Sequence, residues 1–258
     1  MIGAIAGDII GSVFESHPIK TTSFPLFSIA STYTDDTVLS LAIADAILNK
    51  IDYATTLKSY GRKYPGAGYG MSFYNWMQSF DTKPYDSWGN GSAMRISPVG
   101  FAFDSTNDVL SEAKKAAAVT HNHPEGIKGA QATALAIYLA RRGDEKEEIR
   151  KQICHRFDYN LNYTLAEIRP NYYFDVSCQG SVPQSIIAFL ESRNFEDAVR
   201  LAISLGGDSD TMGCIAGGIA QAYYGNIPTG IVEQVKQRLP EEFLLIVDQF
   251  NSTFGCSF

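Results

Sequence analysis

The chain is poor in cysteine, in positive charge and in long apolar runs, and each shortage argues against a class of function. Its four cysteines, Cys154, Cys178, Cys214 and Cys256, stand far apart with no C-x-x-C pair. That spacing speaks against a zinc framework or a disulfide scaffold and for reduced thiols, so the expected location is cytoplasmic. Lys and Arg number 21 against 28 Asp and Glu, a formal net charge of -7. General nucleic-acid binding needs a basic excess to neutralise phosphates, and that excess is missing. An anionic small ligand stays possible, because backbone N–H groups at helix starts hold phosphate without net positive charge. No apolar run approaches the roughly 20 residues that cross a bilayer. The opening "MIGAIAGDIIGSVFE" lacks a basic leader and is interrupted by Asp8, so it reads as a buried helix and not as a signal peptide.

What is present builds a core: 45% of residues are hydrophobic and 12% aromatic. Apolar residues recur with helical period over 2–14, 36–49, 54–64, 70–80, 107–119, 125–144, 145–156, 182–193, 195–205 and 210–224. Two more helices are expected in "IPTGIVEQVKQRLPEEFLLIVDQF". Gly3, Gly7 and Gly11 fall on one face of the first helix, where they permit close approach of another helix or a ligand. "YPGAG" reads as a turn, and 86–103 begins as a Gly/Ser/Asn loop before turning apolar. The one good strand signal is the short "NYYFDVSC". No repeat or composition shift marks a linker, so the expectation is one all-α domain, a compact multi-helix orthogonal bundle over 1–258.

Two acidic clusters stand out against this background. "YTDDT" (33–37) and "GGDSDT" (206–211) each place two aspartates beside threonines just before a strongly apolar helix. Asp, Ser and Thr are good N-caps, and for one cluster that would suffice. Each cluster, however, has more acid than one cap needs, with few basic residues nearby, and buried carboxylates are costly unless paired or bound to metal. Hard cations such as Mg²⁺, Mn²⁺ or Ca²⁺ take Asp, Thr hydroxyl and water oxygens, so the content fits a two-metal site.

These motifs resemble those of the ADP-ribosylglycohydrolase family, to which dinitrogenase-reductase-activating glycohydrolase belongs. "TDDT" (34–37) and "GGDSDT" are similar to its paired metal motifs. The likeness runs on through "GAIAGDIIGSVFE", "GNGSAMR" (89–95), "THNHPEGIKGAQATALA" (120–136) and "GGIAQAYYG" (217–225), in the family's order and over nearly the whole chain. The resemblance implies an all-α fold with two Mg²⁺ or Mn²⁺ ions in a cleft, and hydrolysis of the bond joining ADP-ribose to a modified group. It implies Thr34, Asp35, Asp36, Asp208, Asp210 and Thr211 as metal ligands, with Asp210 bridging the ions. Glu15, Asp35, Asp36 and Asp210 would be catalytic. Ser87, Trp88, Gly89, Asn90, Gly91, Ser92, Met94, Arg95 and His121 would bind the ADP-ribose. The expected partners are an ADP-ribosylated protein or small molecule, with ADP-ribose as product. No membrane is expected, nor nucleic acid except as a modified substrate; arginine is one candidate for the deprotected side chain.

Competing readings accompany several of these residues. Trp88 could pack on the ligand or belong to the core, and Arg95 could contact phosphate or pair with an acid. "HNH" (121–123) resembles the His-x-His pair of amidohydrolases, but no barrel strand precedes it; His121 could instead cap the next helix, with His123 outside the first ring of contacts. "DSDT" resembles the aspartyl motif of haloacid-dehalogenase phosphatases, which requires a buried strand before it. A fold that binds ADP-ribose without turnover, as in crystallin-like relatives, and a metal-dependent nucleotide phosphohydrolase are the alternative functions. The tyrosine-rich stretch 160–181 is expected to border the cleft.

Overall fold

The computed structural model describes residues 1–256, and among these the regular structure is helical throughout. In chain order the helices are α1 (Ile2–Glu15), α2 (Asp35–Asn49), α3 (Tyr53–Lys63), α4 (Met71–Gln78), α5 (Gly91–Met94), α6 (Ser97–Ala102), α7 (Thr106–Ala118) and α8 (Pro124–Arg142). There follow α9 (Lys146–Phe157), α10 (Leu165–Ile168), a 3₁₀ turn at Arg169–Asn171, α11 (Cys178–Glu191), α12 (Phe195–Ile203), α13 (Ser209–Tyr224), α14 (Thr229–Lys236) and α15 (Glu241–Phe254).

Local chemistry explains most boundaries. Thr34, Asp52, Ser105, Ser177 and Asn194 each cap a helix start by accepting a backbone N–H. Thr164 and Glu167 complete a reciprocal capping box on α10. α8 stops at Gly143, whose φ of 89° closes the helix with a left-handed residue.

The centre of the molecule is the crossing of α1 and α13. The glycine faces of the two helices meet: a Cβ on Gly3 would stand 2.6 Å from Gly217 O, and one on Gly213 2.6 Å from Gly7 O. Backbone lies against backbone there, which no side chain larger than hydrogen permits. α13 is buried over most of its length and also packs on α8, α11 and α12. The crossing carries the C-terminal end of α1 to the N-terminal start of α13.

The strand expectation at 171–178 fails. The segment makes one isolated antiparallel bridge, Ser177 to Gly89, and otherwise runs as a loop. Tyr173, Phe174 and Val176 stay exposed, so the aromatic run finds neither a sheet edge nor a core face. The helix expected from 182 starts earlier, at Cys178, because Ser177 caps it and Pro183 is accommodated inside its second turn. The short helices α5, α6 and α10 were too brief to show a period in the sequence. No helix among the described residues is long and apolar enough to cross a membrane.

Candidate metal centre and cleft

Three helix ends meet beneath one cleft. Asp8 and Glu15 come from α1, Thr34, Asp35 and Asp36 from the start of α2, and Asp208, Asp210 and Thr211 from the start of α13. Carboxylate oxygens of Asp8, Asp36 and Asp210 lie within 4.8 Å of one another, and so do those of Glu15, Asp208 and Asp210. Asp210 belongs to both sets. Asp35 joins neither set and instead lines the cleft just above them.

Asp8 was not singled out in the sequence, yet it organises the start of α2. Its Oδ2 accepts from Thr34 N at 3.0 Å, from Thr37 N at 3.1 Å and from the Thr37 hydroxyl, while Oδ1 accepts from Thr34 Oγ1 at 2.8 Å. An aspartate in an apolar helix, directly after Gly7 and three residues before Gly11, reads as an interruption; its partners lie across space, and no local pattern reveals them. Asn90 plays the corresponding part for α13, donating from Nδ2 to Asp208 Oδ2 at 2.7 Å and to Ser181 Oγ at 3.2 Å. Thr211 N donates to Asp210 Oδ1 at 2.9 Å, and the Thr211 hydroxyl reaches Asp36 Oδ2 at 3.4 Å.

The electrostatics are those of a site short of positive charge. Burial first, and the neighbouring carboxylates second, push the Asp36 and Asp210 carboxyls well above their ordinary range. The same two causes push Asp35 up to about 8 and raise Glu15. Burial takes Asp8 up to about 6 despite its four hydrogen bonds. Burial likewise raises Asp208 against the hydrogen bonds it receives. Among the described residues none of the six acids forms an ion pair, and Asp36 Oδ1 is buried without a hydrogen-bond partner. Such a cluster calls for cations, and its all-oxygen donor set suits hard ones.

Above the acids opens a cleft of about 360 Å³. One wall is the loop and short helix carrying Ser87, Gly89, Asn90, Gly91 and Met94, backed by His121, Arg95 and Val176. Ser87 Oγ accepts from Gly89 N at 3.1 Å and so shapes the loop. Val176 brings the 160–181 stretch to the rim, while its tyrosines, Tyr163, Tyr172 and Tyr173, do not line the cleft. Trp88 and Ser92 do not line the cleft. The Trp88 side chain is half exposed, at 49%, while Ser92 is buried and donates to Gly126 O at 2.7 Å, joining α5 to α8.

His121 does not cap α8; it is buried behind Gly89 and Gly91. His123 takes the cap, its Nδ1 accepting from Glu125 N at 3.1 Å. The opposite wall, Gly68, Gly70, Met71, Ser72 and Phe73 with Tyr85, was not read as part of the site. The available signal was a helix start without a capping side chain: α4 begins after Gly70, which leaves first-turn N–H groups free at the cleft. Outside the cleft, Lys20 ties the chain between α1 and α2 to the site. Its ammonium donates to Leu205 O at 2.5 Å and to Tyr172 O.

An all-helical bundle with paired acid clusters under a ligand-sized cleft defines the class, and comparison with known proteins gives the family. The profile of the ADP-ribosylglycohydrolases matches residues 1–255. The chain belongs to that family, a family of glycosyl-bond hydrolases. It is 26% identical to the ADP-ribosylhydrolase ARH3 of Homo sapiens over 87% of this chain and 84% of that protein. It is 27% identical to the ADP-ribosylarginine hydrolase Tri1 of Pseudomonas putida (strain GB-1), over 91% of this chain and 72% of that protein. A solved structure titled "ADP-ribosylglycohydrolase-related protein complex" superposes with a TM-score of 0.77 at 27% identity, covering 96% of this chain and 94% of that one.

Proposed function

We propose that this protein is a cytoplasmic, divalent-metal-dependent ADP-ribosyl hydrolase that releases ADP-ribose from a modified protein side chain, arginine being the first to test. One observation carries the reading: five carboxyl groups, those of Asp8, Glu15, Asp36, Asp208 and Asp210, converge under the cleft with no ion-pair partner among the described residues, and one buried oxygen, Asp36 Oδ1, has no hydrogen-bond partner. Thr34, Asp35, Asp36, Asp208, Asp210 and Thr211 would hold two Mg²⁺ or Mn²⁺ ions, with Asp210 shared between the two sets of oxygens. Bound there, such ions supply Lewis-acid charge and lower the pKa of water.

The chain's own groups do the rest. Asp8 and Asn90 orient the carboxylates of the two helix starts. Glu15 sits at the cleft, where burial first, and then the Asp208 and Asp8 charges, raise its carboxyl above its ordinary value. It is the group placed to take a proton from the attacking water, with Asp35, Asp36 and Asp210 completing the catalytic set. The free N–H groups at the start of α4 border the cleft, a setting suited to a diphosphate, whereas the N–H groups of Ser87, Gly89 and Asn90 donate to Thr120 O, Ser87 Oγ and Val176 O and shape the loop instead. Names among the relatives support this substrate class, since one is an ADP-ribosylarginine hydrolase.

The test is incubation with ADP-ribosylated arginine, ADP-ribosylated serine and ADP-ribosylated nucleic acid, followed by chromatography of the products. Free ADP-ribose from the arginine substrate, abolished by excess chelator and restored by Mg²⁺ or Mn²⁺, is the expected result. Undiminished release in chelator would remove the metal requirement. Phosphate release without ADP-ribose would mark a phosphohydrolase, and binding without any product a non-catalytic fold.

A further inference from the structure

At the end of α4 that points away from the cleft sits a buried cation that pairs with no acid. Lys58, on α3, is buried, and among the described residues its ammonium forms no ion pair. Its Nζ donates instead to three backbone carbonyls: Trp76 O at 2.8 Å, Ser79 O at 2.7 Å and Asp81 O at 2.7 Å. We propose that Lys58 is a positioning residue: its ammonium fills a carbonyl cage at the end of α4 and thereby holds the chain that joins the two walls of the cleft. The ligand's identity as ADP-ribose rests on the reading above; the cage rests on the geometry alone.

An ammonium has three N–H donors and no acceptor, so three carbonyls use it fully. The cage needs a cation because α4 ends without a left-handed glycine to close it: Ser79, its cap, is extended at φ −71° and ψ 154°. The last carbonyls of a helix lack partners inside it and carry the negative end of its dipole. Lys58 takes Trp76 O. Arg62, one turn further along α3, takes Met77 O through Nε at 2.6 Å and Ser79 O through Nη2 at 3.0 Å. The Trp76 ring adds a face to the cage, its centroid 4.5 Å from Nζ. From 79 to 88 the chain has no regular element of its own. Its local order comes from Asp81 N donating to Ser79 Oγ at 2.8 Å and Lys83 N to Asp81 Oδ1 at 2.9 Å, both anchored on residues that Lys58 grips.

The place of the cage in the chain gives it reach. Met71, Ser72 and Phe73 at the start of α4 line the cleft, and Lys58 grips the other end of the same eight-residue helix. Residues 79–84 then lead to Tyr85 and Ser87, which line the cleft on its two walls. A shift at 79–81 is therefore passed to both. α3 is packed closely enough on α4 to serve as the fixed support: a Cβ on Gly61 would stand 2.7 Å from Met77 Sδ and 3.2 Å from Phe73 Cε1. Phe73, Trp76 and Met77 are buried, so α4 keeps its own packing without Lys58, whereas the chain beyond it depends on the cage.

Amide hydrogen exchange on ligand-free protein tests the cage, and calorimetric titration with ADP-ribose in Mg²⁺ tests its reach. Lys58→Ala is expected to speed exchange at Asp81, Lys83 and Ser87 about tenfold, and to weaken ADP-ribose binding about tenfold through the cost of ordering the loop on binding. Propylammonium, which refills the lost stem and supplies three donors, should restore both. Tetramethylammonium at the same concentration, a cation without N–H donors, should restore neither. Lys58→Met, which keeps the stem and lacks the ammonium, should show the same two losses. Unchanged exchange or affinity in Lys58→Ala would overturn the proposal, as would a recovery that does not distinguish the two cations. If Lys58→Ala fails to fold, Lys58→Met decides by the same two measurements. A wild type that binds no ADP-ribose would remove the ligand assigned above, and exchange with its propylammonium recovery would then decide the cage.

Discussion

A single aspartate in the middle of an apolar helix, Asp8, accepts four hydrogen bonds from the start of α2, and Asn90 does similar work for Asp208. Neither contributes to the two acidic motifs, yet both decide where those motifs point. Outer-shell partners of this kind typically affect metal affinity by about 10- to 100-fold. Asn90→Ala is therefore expected to weaken Mg²⁺ or Mn²⁺ binding within that range while leaving melting behaviour in chelator nearly unchanged; titration calorimetry and thermal denaturation measure the two effects. Asp210→Ala removes the oxygen common to both sets and is expected to lower release of ADP-ribose by at least about a hundredfold, read by product chromatography at saturating metal. At this scale the sequence was legible where acids and threonines clustered. It was silent where a lone polar residue, such as Asp8, met its partner across the fold.

Among the elements, the long helices were readable from their period and their caps, with boundaries close to those observed: 36–49 became Asp35–Asn49, and 125–144 became Pro124–Arg142. What failed was the aromatic run at 171–178, since side-chain type alone does not supply a neighbouring strand to pair with. The wall formed by 68–73 also escaped notice, because a glycine-rich turn before a short helix shows its use only when the cleft is closed around it. The most exacting element pair is α1 with α13. The Cβ of Gly7→Ala would fall inside the van der Waals radius of Gly213 O, a backbone atom that cannot rotate away. That substitution is expected to cost about 3 kcal/mol, the upper part of the usual range for overpacking, and urea denaturation monitored by circular dichroism will measure it. Gly230→Ala, where a Cβ meets nothing within 4 Å, is the control and should change stability little.

For the whole molecule, the acidic floor makes stability depend on pH and on metal together. Burial holds the folded-state carboxyls of Asp8 and Asp35 at about 6 and about 8, above the ordinary value of 3.8, so the metal-free fold binds protons that the unfolded chain releases. Stability of that form is fullest below about pH 4 as far as these groups are concerned, and falls as pH rises through the window from about 4 to about 8. The expected result is a melting temperature in chelator that declines between about pH 5 and about pH 8, with added Mg²⁺ or Mn²⁺ reversing the decline, because ionised carboxylates are the form that binds metal. A melting temperature in chelator that rises across the same window would contradict the assignment of these acids as buried and uncompensated.

The contact between the Asp36 carboxylate and the Thr211 hydroxyl joins residues 175 positions apart. During synthesis, therefore, the first helix and the start of the second must wait, their glycine face and acids uncovered, until the last third of the chain has left the ribosome. Because Asp210 belongs to both sets of oxygens, neither set is complete until α13 has packed on α1.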